Sequence, residues 1–171
     1  DWDIEQDFLG LENCSEILNI TRPDFIQDVH RQYFAAGADC VETNTFGANK
    51  VVLAEFDIPE RTFELNKAAT ILARQVANEF ATAEWPRYIL GSIGPGTKLA
   101  SLGHASYDTL VDSYAEQARG LIAGGVDCFL IETNQDLLTI KTAVQGCKLA
   151  LAETKTQLPI FTQVTIETNG S

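Results

Sequence analysis

A chain of 171 residues with 45% hydrophobic content is long enough for one cored domain and too short for two. Its 24 acidic residues against 12 basic ones leave a formal charge of -12. That balance provides no basic stripe to neutralise phosphates or anionic headgroups, so nucleic-acid and membrane-surface partners are disfavoured. No apolar run approaches the ~18 residues of a membrane span, and no charged segment leads into an apolar one at the start, so a soluble, cytoplasmic protein is expected.

The chain starts Asp1-Trp2-Asp3 and contains no methionine, which reads as a piece of a longer polypeptide. From Thr21 the pattern turns helical. Thr21 is placed to cap, Pro23 falls in the first turn, and Ile26, Val29 and Tyr33 recur at helical spacing until Gly37. A short strand follows over residues 38–44, apolar first and polar at its end. A second helix is read over residues 59–81, with Leu65, Leu72, Val76 and Phe80 as its buried stripe and Trp85-Pro86 marking the exit. The next strand, residues 88–93, runs into the turn Gly94-Pro95-Gly96.

The third helix carries Leu110, Val111, Tyr114, Ala118, Leu121 and Ile122 on one face. It stops at Gly124-Gly125, where a left-handed cap costs least. A strand over residues 127–133 comes next. A fourth helix follows, with Leu137, Ile140, Val144, Cys147 and Leu151 on one side, and Pro159 introduces a last strand over residues 160–167. Helices and near-continuously apolar strands thus alternate strictly, which implies a parallel sheet covered by helices.

The triplet Glu-Thr-Asn closes three of these strands, at Glu42-Thr43-Asn44, Glu132-Thr133-Asn134 and Glu167-Thr168-Asn169. Ligands bind at the C-terminal ends of strands in a (β/α)8 barrel and in an open doubly wound sheet alike, so the pattern leaves both architectures open.

Glu132 ends the apolar run from Cys128 to Ile131. A carboxylate there can bind an ammonium group or act as a base, or it can cap the following helix. Glu42 holds the equivalent place, and strand alternation puts Cys40 on its face, just as Cys128 shares a face with Glu132. A joint metal site is disfavoured, because Cys40 lies about 7 Å below Glu42 and Cys128 about 13 Å below Glu132. The four cysteines, Cys14, Cys40, Cys128 and Cys147, form no C-x-x-C pair and suit reduced, buried thiols.

Residues 91–96 lack a phosphate-loop Lys-Ser/Thr and read as a tight turn where backbone approaches a ligand. His30 reads as lying on a solvated helix face. His104 sits in a loop within reach of the mouth, with no partners for a hydrolytic triad.

Taken in order, several stretches resemble the homocysteine S-methyltransferase family, and within it the homocysteine-binding module of cobalamin-dependent methionine synthases. They are Cys14 to Asn19, Thr21-Arg22-Pro23, Ala36 to Asp39, Glu42 to Asn49, Gly91 to Gly96, and Ile131 through Asp136. The resemblance covers nearly the whole chain. It implies a partial (β/α)8 TIM barrel, with residues 1–171 supplying about strands 2 to 5 and lacking the first and the sixth to eighth strands. It further implies a methyltransferase in which zinc-bound homocysteine takes a methyl group from methylcobalamin, recharged by 5-methyltetrahydrofolate, to give methionine. The partners it implies are homocysteine and the folate- and cobalamin-binding domains of the same longer chain.

The family's Asp-Gly-Gly and Gly-Gly-Cys-Cys motifs do not occur here, and the one Asn-Cys pair, Asn13-Cys14, lies ahead of the first helix and not after a sixth strand, so none of the four cysteines is carried over as a zinc ligand. This piece alone is expected to be inactive and to bind neither zinc nor cobalamin. Carried over as substrate-binding positions are Glu132, expected to hold the homocysteine ammonium, then Asn44, Thr45 and Gly94 as pocket-shaping residues, and Glu167 at the last strand's mouth. The alternatives are a cobalamin-independent, betaine-type homocysteine methyltransferase and a non-catalytic half-barrel.

Overall fold

The computed structural model describes residues 2–166. Turns over residues 2–14 lead into a 3₁₀ turn at Ser15–Ile17 and the short helix α1 (Leu18–Thr21). After it come α2 (Pro23–Ala35), β1 (Cys40–Glu42) and α3 (Lys50–Leu53). Two more 3₁₀ turns, Ala54–Phe56 and Pro59–Arg61, precede α4 (Thr62–Phe80). The remainder alternates strictly: β2 (Tyr88–Ile93), α5 (Tyr107–Gly124), β3 (Cys128–Asn134), α6 (Leu137–Thr154) and β4 (Ile160–Val164).

All four strands are parallel and lie in chain order, β1-β2-β3-β4. Each neighbouring pair is linked by a helical connection, as parallel pairing requires. Val41, Ile89, Ile93, Phe129 and Ile131 form one face of the sheet and pack on α4, α5 and α6, where Val76, Tyr114, Leu121, Ala143 and Cys147 meet them. Burying each of the larger side chains contributes about 1.5–3 kcal/mol. The opposite face carries Cys40, Glu42, Tyr88, Leu90, Ser92, Cys128, Leu130 and Glu132 by strand alternation.

Helices α5 and α6 touch main chain to main chain. A Cβ at Gly146 would lie 2.8 Å from the Ala115 nitrogen, the Val111 carbonyl and the Tyr114 Cβ. The expected stop of α5 is present, with Gly125 at φ +89°.

Several expectations are corrected. Thr21 does not cap α2: it ends α1, and its hydroxyl donates to the carbonyls of Asp7 (2.5 Å) and Ile17 (3.3 Å). Helices α1 and α3 are additions to the expected elements, the latter capped by the Asn49 side chain, which accepts from Val51 and Val52. The buried stripe of α2 is Ile26, His30 and Phe34, while Tyr33 is 62% exposed. His30, expected on a solvated face, is only 5% exposed.

Burial pushes His30 down from 6.5 to about 4. As pH falls through that window the unfolded chain gains a proton that the folded chain refuses, so stability is lost on acidification. The full difference is about 3 kcal/mol. Chemical denaturation of the wild type and His30→Phe at pH 7 and pH 4.5 is expected to show the wild type losing about 2–3 kcal/mol more than the variant. An equal loss in both would remove His30 from the acid response.

Candidate functional site

The C-terminal ends of β1, β2 and β3 are joined by side-chain hydroxyls. The Ser92 N–H donates to the Thr43 hydroxyl at 3.1 Å, and the Thr45 hydroxyl donates to the Ser92 carbonyl at 2.7 Å. The hydroxyls of Thr43 and Thr45 lie 2.6 Å apart, and all three residues are buried. From this rung the Ser92 hydroxyl turns to the open face and donates to Glu132 Oε1 at 2.6 Å.

Glu132 does not cap the next helix. That role belongs to Asp136, which accepts from the N–H groups of Leu138 (3.3 Å) and Thr139 (3.2 Å). Glu132 is half-buried, and among the described residues neither it nor Glu42 forms an ion pair with a basic side chain. Glu42 reaches the Glu132 carboxylate from β1, and burial together with that neighbouring charge holds the Glu42 carboxyl above its ordinary range. The sequence placed these two carboxylates at equivalent strand ends; their meeting is a product of the sheet.

The remaining expected positions shape the surroundings. Asn44 donates its side-chain amide to the Ser15 carbonyl, and its own carbonyl accepts from the Asn19 amide, both at 2.8 Å. Thr45 is fully buried, and its carbonyl accepts from Gln117 at 2.7 Å. Gly94 packs against Phe46, where a Cβ would meet the Phe46 carbonyl at 2.7 Å and its ring at 2.8 Å. Its N–H donates to that carbonyl, and the buried Tyr114 hydroxyl steadies the following turn by donating to the Pro95 carbonyl at 2.8 Å. Sequence reading passed over Glu16, a buried carboxylate that accepts from the Gly47 N–H at 2.7 Å and holds the loop after β1. His104 Nδ1 accepts from the Leu99 N–H at 3.3 Å and closes its own loop. Glu167 lies outside the described residues.

Among the described residues no three His, Cys, Asp or Glu side chains converge to hold a metal. The thiol of Cys128 is pushed up to about 11 by burial and by the Asp127 and Cys40 charges, and that of Cys40 is also raised, chiefly by burial. Both therefore favour the thiol over the metal-binding thiolate. All four cysteines are unpaired; Cys14, Cys128 and Cys147 are buried and Cys40 is half-buried.

A parallel sheet with helices on one face and two carboxylates meeting at its strand C-termini matches the layout of an α/β barrel site. A model of the homocysteine S-methyltransferase family matches residues 2–171, and the chain belongs to that family. The methionine synthases of Mycobacterium leprae (strain TN) and Mycobacterium tuberculosis (strain ATCC 25618 / H37Rv) are each 50% identical to it over 165 residues, which is 96% of this chain. The chain spans 14% of the length of each of these relatives.

Among solved structures, the homocysteine methyltransferase MmuM from Escherichia coli superposes with a TM-score of 0.72 in its metallated form, covering 94% of this chain and 59% of that one at 19% identity. Its oxidised form gives 0.71, with 90% and 57% covered at 20% identity. These likenesses establish the fold. Among the described residues no helix is long and apolar enough to cross a membrane.

Proposed function

We propose that this chain is the amino-acid-binding part of a homocysteine S-methyltransferase barrel, supplying about strands 2 to 5 of a longer cytoplasmic methionine synthase. Glu132 holds the substrate's α-ammonium group, Asn44, Thr45 and Gly94 shape the mouth, and Glu167 is a further substrate-binding position. The observation that carries this reading is the position of Glu132. It stands at a strand end on the open face, relieved of helix capping by Asp136, oriented by Ser92 and, among the described residues, without a basic side chain paired to it. The 50% identity to the mycobacterial methionine synthases supports methionine as the product, and the order of the motifs read in the sequence favours methylcobalamin as the donor.

Zinc, when bound by parts of the longer protein beyond these residues, would favour the homocysteine thiolate as nucleophile at neutral pH. This chain's own residues bind and orient the amino-acid end. Ser92 keeps one Glu132 oxygen fixed, and a carboxylate with no basic partner among the described residues is matched to an ammonium group. Cobalamin- and folate-binding domains of the same polypeptide are its partners.

The longer protein, assayed with homocysteine, is expected to consume methylcobalamin and release methionine, and to contain zinc by metal analysis. Turnover with a betaine-type donor and none with methylcobalamin would replace this reading with the cobalamin-independent one.

A further inference from the structure

In a regular strand consecutive side chains point to opposite faces. Glu132 lies on the open face of β3, so regular alternation would send Thr133 into the helix layer. The strand bulges at this point: Ile131 pairs with Thr162 and Asn134 with Val164, so that Glu132 and Thr133 together lie opposite Gln163 of β4. Thr133 is exposed, and its hydroxyl donates to Glu132 Oε2 at 3.4 Å. Side chains adjacent in sequence meet here because the bulge breaks the alternation.

The bulge holds Thr133 at φ +52°. Among the described residues Leu9, Asn13, Asp57 and Lys155 also have positive φ, but all four lie in turns. Thr133 stands inside a strand and is the one with a branched β-carbon, for which this conformation is a steric outlier. It persists because the residues around it are fixed. Ile131 is fully buried, the Asn134 carbonyl accepts from the Thr165 N–H at 3.0 Å, and the fully buried Asn134 side chain accepts from the Asp136 N–H at 3.2 Å. Glycine takes a left-handed conformation without strain and asparagine with little, so either would complete the same turn into α6. What threonine adds is a hydroxyl beside Glu132.

An ionised carboxylate has about four lone-pair sites, and it turns easily about its terminal bond. Held only by Ser92, at 2.6 Å on Oε1, the group still swings about that contact. A second hydroxyl on Oε2 fixes its plane, and with it the direction of the remaining lone pairs. The Thr133 contact is the longer of the two and the weaker restraint.

We propose that Thr133 is a positioning residue for homocysteine: its hydroxyl and that of Ser92 each hold one oxygen of Glu132 and aim the carboxylate at the substrate's ammonium group, and the strained bulge places Thr133 to do so. The role rests on the reading of Glu132 as the ammonium ligand.

Three variants of the longer protein separate the hydroxyl from the branch. Thr133→Ser keeps the hydroxyl and removes the branch, Thr133→Val keeps the shape and removes the hydroxyl, and Thr133→Gly removes both. The homocysteine concentration for half-saturation is expected to follow the hydroxyl. It stays within about twofold of wild type in Thr133→Ser and rises about fivefold in Thr133→Val and Thr133→Gly, as for the loss of one ordinary hydrogen bond. The maximal rate and the zinc content are expected to change little, because Thr133 orients the amino-acid end and not the sulfur. The urea midpoint is expected to follow the branch instead, at or above wild type in Thr133→Ser and at or below it in Thr133→Val.

Wild-type half-saturation in Thr133→Val would overturn the role. So would Thr133→Ser binding as weakly as Thr133→Val, which would mark a purely structural effect. In a Glu132→Gln background Thr133→Val is expected to weaken binding no further, and an undiminished fivefold effect there would show that Thr133 does not act through Glu132. Unchanged affinity in Glu132→Gln would sink the reading of Glu132 and this role with it, whereas affinity lost in Glu132→Gln and kept in Thr133→Val would sink the role of Thr133 alone.

Discussion

Glu132→Gln in the longer protein is expected to raise the homocysteine concentration needed for half-saturation about a hundredfold, with zinc content unchanged. Removing one partner of a desolvated charge pair costs about 2–5 kcal/mol, and about 1.4 kcal/mol corresponds to a factor of ten. Glutamine keeps the size of the side chain and can still accept the Ser92 hydroxyl, so the substitution isolates the charge. Metal analysis separates this effect from a collapsed barrel, because a misfolded protein would lose zinc as well. Unchanged homocysteine affinity would remove Glu132 from the substrate site.

The second large effect is expected in the helix layer. A side chain at Gly146 has no room, since its first carbon would already stand 2.8 Å from two main-chain atoms of α5. Alanine is expected to cost about 1–3 kcal/mol, the usual range for overpacking, even though alanine is the better helix former by about 1 kcal/mol. Leucine must push α5 and α6 apart and is expected to cost at least about 3 kcal/mol. Urea denaturation would read this as a lowered midpoint, and an unchanged midpoint for Gly146→Leu would show that the helix contact is looser than the packing implies.

The alternation of helix and strand was legible because each element carries its own pattern. The strand Tyr88–Ile93 and the stop of α5 at Gly125 came out as read, the first from an apolar run bounded by Pro86 and Gly94, the second from a residue pair suited to a left-handed turn. The stripe of α2 was misjudged because Ile26–Val29–Tyr33 and Ile26–His30–Phe34 are both helical spacings, and composition favoured the one without a histidine. Phe34, four residues after His30, was the available signal. The cap of α3 was likewise present in Asn49 ahead of Val51-Val52-Leu53.

At the site, Glu132 was legible from its place at a strand end. Its partners were not. Ser92 reaches it only through the register that pairs Ser92 with Leu130, and Glu42 only through a sheet that brings β1 and β3 to either side of β2. Register and curvature belong to tertiary structure, and no local pattern encodes them.

Thr43 and Thr45 fasten the strand ends through the Ser92 main chain, which leaves the Ser92 hydroxyl to Glu132. That hydroxyl turns about one bond, so a change of charge at Glu132 can be answered by a single rotor whose own main chain stays clamped. The nearest donor to the carboxylate can thus reorient without moving any strand, which separates the speed of that response from the stiffness of the sheet beneath it.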